Sequence, residues 1–357
     1  MEMLDFETDA IRVISTQAKA NETQDIKIIR QILNDNTRTD QNINELINNI
    51  FGNCDITINF HPDRFSNNSK LIIDNLIDDC KYHNQFVTGT SNGGRTAYPG
   101  GDRDIWEKGL FQGIYHKDDV NVLKRPKYGA LNLLNYLDGA SPRFGSCFFT
   151  LKKHVADRCT YAFGDSSSNP EFLGTRYAFI SVFKAILLDV QKTNKLLNHD
   201  NFNIRKALDY FNSMKKELNT LGRNLDDCIE THIHGEIDLY NDIDSFFVDE
   251  SFQDSEIIRQ IHFLAEKFHI NLQWIPIRKI CCEDITDDFR GPMTKILAER
   301  VIDVFGDNSK NITAALIGKA SRFTTQNLEA WSDLGTEYDL FQNIKKLWHT
   351  VAYFGMN

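Results

Sequence analysis

The spacing of apolar positions changes along the chain, and each change marks a new element. Near the amino terminus Ile26, Ile28, Ile29, Ile32 and Leu33, then Ile43, Leu46, Ile47 and Ile50, recur at helical spacing in Asn-, Asp- and Gln-rich sequence, predicting two short amphipathic helices. The period then falls to two. Ile56, Ile58 and Phe60 alternate with Thr57 and Asn59, predicting a half-buried strand stopped by the polar turn His61-Pro62-Asp63-Arg64. Leu71, Ile72, Leu76 and Ile77 restore a helical stripe, with Ser69 placed to cap it. Between Ala140 and Ser168 the segments PRFGSCFFTLKK and DRCTYAFGDSS carry the densest strand signals, through Phe148, Phe149 and Leu151 and through Cys159, Tyr161 and Phe163. Residues 172–222 read as helical, closed by Gly222. CIETHIHGEID and INLQWIPI then read as strands around the helix SEIIRQIHFLAEKFH, which Ser255 is placed to cap. Beyond about Asp287 the periodic pieces ILAERVIDVF, AALIGKA and LFQNIKKLWHTVAYF are helical.

Strands, helices and strands in that order predict an α+β fold with a compact mixed or antiparallel β core and helical additions at both ends. The expected regions are an N-terminal helical part over residues 1–52, a catalytic core over 53–285 and a C-terminal helical lobe over 286–357. Two stretches are less regular. Tyr82 to Arg103 is rich in glycine (Gly89, Gly93, Gly94, Gly100 and Gly101) and reads as a loop whose backbone amides suit a phosphate or pyrophosphate. RDIWEKGLFQGIYH offers a short helix with Trp106 and Leu110 on one side, and RPKYGALNLLNYL opens as a Pro-initiated turn.

Composition narrows the class of partner. The chain has 357 residues, 41% hydrophobic and 25% charged, with a formal net charge of -10, which gives no general attraction to nucleic acid or to an anionic membrane. The seven cysteines form no CxxC pair, so reduced, mostly buried thiols are expected rather than a disulfide framework or a zinc ribbon. The first residues lack the cationic start and apolar run of a signal peptide, and no segment approaches ~18 uninterrupted apolar residues. A soluble protein is expected, in the cytoplasm or delivered to a host cell's cytosol, with a protein or small molecule as its partner.

The chemistry concentrates at Cys228–Asp249. Read as a strand, this stretch places Glu230, His232, His234 and Glu236 on one face and Ile229, Thr231, Ile233 and Ile237 on the other. One face packs, and the other carries chemistry or meets water. Asn92, Glu107, Arg143 and Asp165 fall in or beside the strand and glycine-rich segments that are expected to line the same cleft. His232-x-His234 also admits a metal-dependent hydrolase or oxygenase, completed by Glu236 or His61. The helical ends admit a third, non-enzymatic reading as a partner-binding protein.

Arg64, Ser146 and Glu230, far apart in sequence and each on or beside a strand, resemble the Arg/Ser/Glu arrangement of mono-ADP-ribosyltransferases. That resemblance implies two small split sheets with NAD, as substrate, in the cleft between them and a protein as acceptor, in the manner of a bacterial effector or toxin, and it implies no metal. It assigns the NAD phosphates or ribose to Arg64, bracing to Ser146, and the ribose 2′-hydroxyl to Glu230, with His232 beside it. His61, Asn92, Gly93, Tyr128 and Arg143 complete the expected NAD-binding set. The chain departs from the family's usual Ser-Thr-Ser run, having Gly145-Ser146-Cys147, and carries Cys228 where arginine-modifying members have a second acid. Over roughly residues 55 to 275, FHPDR, QFVTGTSNGG, RPKYGALN, PRFGSCFF and the HG of HIHG also resemble a bacterial domain family of unknown function.

Overall fold

Three helices, α1 (Asp5–Ala20), α2 (Glu22–Asn36) and α3 (Ile43–Asn53), lead into β1 (Ile56–Phe60), α4 (Ile72–Asp79), β2 (Lys81–Tyr82), α5 (Gln85–Thr88) and α6 (Asp102–Leu110). The middle of the chain supplies β3 (Lys127–Leu131), β4 (Cys147–Leu151), β5 (Cys159–Phe163), β6 (Leu173–Thr175), α7 (Ile180–Thr193) and α8 (Ile204–Ser213). Then come β7 (Ile229–Ile233), β8 (Ile237–Asp238), α9 (Leu239–Asp242), β9 (Ile243–Asp249), α10 (Ile258–Lys267) and β10 (Asn271–Ile275). The chain closes with β11 (Lys279–Cys281), α11 (Met293–Phe305), β12 (Asn311–Thr313), α12 (Ala314–Gln326) and α13 (Glu337–Phe354). This computed structural model describes residues 3–36, 41–89, 96–117, 120–214 and 225–356.

The α+β class with a mixed sheet holds. Eight strands pair in the order β10-β9-β4-β1-β3-β7-β5-β6, antiparallel except for the parallel pair of β9 and β10. They form one continuous ladder where the ADP-ribosyltransferase resemblance implies two small sheets; β2 with β8 and β11 with β12 make separate two-stranded pairs. Directly paired residues share a face, so register defines the rows. Thr57 pairs with Ala130, Ala130 with Glu230 and Glu230 with Ala162, while Tyr128, His232 and Thr160 form the next row on the same face.

The opposite face carries Ile229 and Ile233 and packs on α3 and α7, with Phe51, Tyr161 and Phe179 in mutual edge-on ring contacts at 4.9–5.6 Å. One connected apolar cluster runs from Ile29 to Ala352 and joins α2, α3, this face and the C-terminal helices. The Glu230 face has its own smaller apolar cover, in which Ala10 and Ile14 of α1 meet Leu110, Phe111 and Tyr115 over Ala162 and Leu173. That part of the face is therefore covered where the sequence pattern left it open to water.

Several local expectations change. A third amino-terminal helix, α1, buries Ala10, Ile14 and Ala18, with Phe6 and Val13 partly buried beside them. RPKYGAL is no turn: β3 lies between β1 and β7, and Gly129 allows the contact because a Cβ there would stand 2.6 Å from the Thr57 carbonyl oxygen. Ser69 and Ser255 cap no helix; α4 and α10 begin after Leu71 and Ile257. β7 ends at Ile233, and Gly235 at φ +78° turns the chain, so Glu236 leaves the row and accepts from Lys81 and Lys124 at 2.6 and 2.8 Å. Gly222 lies outside the described residues. All seven cysteines are free thiols. No helix among the described residues is long and apolar enough to cross a membrane.

Candidate functional site

A cleft opens on the Glu230 face. Its floor is the sheet, through Asn59, Tyr128, Gly129 and Glu230; α6 forms one wall with Arg103 and Trp106, and Arg143 and Asp165 stand opposite. A second cavity, containing His61 and Arg64, shares Asn59, Tyr82, Gln85 and Phe144 with the first. The two are neighbours along one face.

Glu230 is 7% exposed and held through one oxygen. Its Oε1 accepts from the Ser166 backbone amide at 3.2 Å and from His232 Nε2 at 2.8 Å, while Oε2 takes no hydrogen bond from the described residues. A carboxylate fixed by one atom offers the other to a ligand. Behind it the polar chain continues: Thr160 Oγ1 lies 3.0 Å from His232 Nδ1 and 3.1 Å from His234 Nε2, and the Tyr115 hydroxyl lies 2.6 Å from His234 Nδ1. Burial raises the Tyr115 phenol well above its usual range and, with neighbouring His232, Lys127 and Arg158, holds the His234 imidazole well below its own. Tyr115 thus keeps its proton and donates to neutral His234. The arrangement that satisfies every atom then runs in one direction, from Tyr115 through His234, Thr160 and His232 to Glu230.

The α6 wall inverts the usual polarity of a surface helix. It buries Arg103, Glu107 and Leu110 and leaves Ile105 60% exposed. Glu107 accepts from Arg125 Nη1 at 2.9 Å and from the Tyr128 hydroxyl at 3.0 Å; burial raises its pKa, against the pull of Arg125. Arg103, 8% exposed, lies over the Tyr128 ring with its guanidinium carbon 4.3 Å from the centroid and 5.9 Å from that of Trp106. Its Nε and Nη1 are buried without an acceptor. Sequence reasoning left Arg103 out of the site because it followed a glycine-rich loop. The available signal was the spacing of Arg103, Glu107 and Leu110, which turns two charges inward on one stripe.

Of the residues expected from sequence, Glu230, Tyr128 and Arg143 share the main cleft, with Arg143 paired to Asp226 and, at 2.9 Å, to Asp165. His232 sits beneath Glu230 with no exposed surface. Arg64 and His61 line the adjoining cavity, where Arg64 donates to the Ile317 carbonyl of α12 at 3.0 Å. Ser146 is apart from both Arg64 and Glu230: its hydroxyl meets His61 Nδ1 at 3.2 Å and Cys147 Sγ at 3.9 Å. Asn92 and Gly93 lie outside the described residues. The four ring nitrogens of His232 and His234 all face Glu230, Thr160 or Tyr115, and among the described residues no three His, Cys, Asp or Glu side chains gather as a metal-ligating group.

No curated protein matches the chain. A family model described as "Protein of unknown function (DUF3626)" matches residues 55–354, which takes in the sheet, the cleft and the helices through α13 and leaves out α1 to α3. The chain belongs to that family.

Proposed function

We propose that this protein is an NAD-consuming, ADP-ribosyltransferase-like enzyme with a protein acceptor. The observation that carries the reading is Glu230, whose carboxylate is anchored through Oε1 by His232 and Ser166 and turns Oε2 to a cleft lined by Trp106, Tyr128, Arg103 and Arg143. In such a reaction the bond between the ribose C1′ and the nicotinamide nitrogen breaks with its electron pair leaving on nicotinamide. The acceptor's lone pair forms the new bond at C1′, and the acceptor gives up a proton. Positive charge develops on the ribose between these events. Glu230, accepting the ribose 2′-hydroxyl, stabilises that charge from a position fixed before the reaction begins. The aromatic walls suit the flat rings of a dinucleotide, and the neighbouring cavity with Arg64 and His61 extends the same face.

The test measures nicotinamide release from NAD, and transfer of labelled ADP-ribose to protein in a lysate, for the wild type and Glu230→Gln. Expected is a loss of roughly 100- to 1000-fold in turnover with NAD affinity changed only a few-fold, because the interaction strengthens as charge develops. Equal turnover in the two proteins, or no nicotinamide release from either, removes the reading.

A further inference from the structure

We infer that Arg103 is the receptor for a diphosphate group in the main cleft, where the mono-ADP-ribosyltransferase resemblance implies Arg64 for the phosphates or ribose. Burying a guanidinium without a carboxylate partner is costly. Here it is 8% exposed with Nε and Nη1 unpaired. Glu107 and Asp165 both lie close enough to feel its charge, and both are committed elsewhere. Glu107 gives one oxygen to Arg125 and the other to Tyr128; Asp165 gives one to Arg143 and the other to the Ser167 amide. The protein thus keeps a buried cation at the cleft wall with Nε and Nη1 unpaired, while Glu107 and Asp165 are engaged by other donors.

The guanidinium carbon of Arg103 sits 4.3 Å from the Tyr128 ring centroid, which holds the group at the cleft wall, and a guanidinium fork recognises two phosphoryl oxygens at once. Arg143 and Arg125 are each already held by two carboxylates, and Arg64 is turned to the Ile317 carbonyl. Arg103 also lines the same cleft as Glu230, so an anion on one and a ribose on the other belong to one ligand of nucleoside-diphosphate type. This assignment rests on the proposed function only for the identity of that ligand; the anion site itself is measurable without turnover.

The experiment is calorimetric titration of the full chain with ADP-ribose, ADP, inorganic pyrophosphate and adenosine, using wild type, Arg103→Met, Arg103→Lys and Arg64→Met, together with urea unfolding of each ligand-free protein. Arg103→Met should weaken ADP-ribose and ADP on the order of 10- to 100-fold, the loss of charge-assisted hydrogen bonds, and leave adenosine unchanged. Arg103→Lys should recover part of the affinity, Arg64→Met should lose less than Arg103→Met, and ligand-free Arg103→Met should be at least as stable as wild type, since an unpaired buried charge has been removed. Pyrophosphate binding without adenosine binding identifies a free diphosphate as the source of the anion; gain from the adenosine moiety identifies a nucleotide. ADP-ribose and ADP binding within twofold between wild type and Arg103→Met, or a ligand-free Arg103→Met that is less stable and binds normally, overturns the assignment and marks Arg103 as structural. Diphosphate binding that depends on Arg103 in a protein without NAD turnover keeps this site and removes the enzymatic reading; NAD turnover with an unchanged KM in Arg103→Met does the reverse.

Discussion

His232 Nε2 lies 2.8 Å from Glu230 Oε1, two residues along the same strand, and fixes the carboxylate that faces the cleft. The imidazole has no exposed surface, so under the proposed chemistry its place is that of a positioning residue acting through Glu230. His232→Ala should lower NAD turnover about 10- to 100-fold with a smaller change in KM, the loss of a hydrogen bond to a charged group. His232→Gln, which keeps a donor, should recover part of that loss. Equal kcat in His232→Ala and the wild type would show that Glu230 needs no such support.

Thr160 bridges the two histidines, within 3.0 and 3.1 Å of a nitrogen on each. Thr160→Val keeps the shape and deletes the bridge, leaving two buried ring nitrogens unsatisfied, and should cost roughly 1–3 kcal/mol in urea unfolding. Thr160→Ser should stay close to wild type. A valine variant as stable as wild type would mean that these nitrogens find other partners.

Acid should destabilise the protein through buried neutral histidines. His349 is held down to about 3 by burial and by the nearby Arg290, Arg143 and Lys345, and His61 and His234 are also held well below the usual imidazole range, chiefly by burial. The unfolded chain takes up these protons near pH 6.5 and the folded chain does not, so the contribution is complete above that pH and falls as pH drops towards 3. The slope is roughly 1.4 kcal/mol per pH unit for each histidine. His349→Gln should lose less stability than wild type between pH 7.5 and 5, both compared by urea midpoint. The buried carboxyls Asp63, Glu107 and Asp249, raised by burial, contribute with the opposite sign in both proteins and cancel in the comparison. Parallel curves for the two would exclude His349 as a source of acid lability.

Gly145 marks a contact with no room for a side chain, since a Cβ there would stand 2.1 Å from the Phe60 carbonyl carbon. The obstruction is backbone and cannot turn aside. Gly145→Ala should therefore cost several kcal/mol or prevent folding, at the severe end for single substitutions. Gly164→Ala, at φ +95° with open space around its Cβ, should cost only about 1 kcal/mol in backbone strain. Similar losses in the two would contradict this distinction between crowding and conformation.

The alternation in CIETHIHGEID was enough to place Ile229 and Ile233 in the core and Glu230 with His232 on the other face. It could not reveal what covers that second face, because a period of two describes a strand and says nothing of the layer above it. The cover comes from α1 and from the segment after α6, distant in sequence. The same limit explains β3: KYGAL carries a lysine and a glycine, a poor strand by propensity, and is central only because β1 and β7 sit on either side. Glu230, Tyr128 and Arg143 were legible as residues of one cleft, whereas Arg103 was obscured by helix polarity that runs against the usual pattern.

Trp348 of α13 donates its indole N–H to the Pro142 carbonyl at 2.8 Å, and the segment beginning at Pro142 carries Arg143 and Phe144 into the cleft wall. During synthesis the ribosome must therefore deliver α13 before that wall has its anchor. A nascent chain that had already paired every strand of its large sheet would still hold an unfinished pocket until that helix follows.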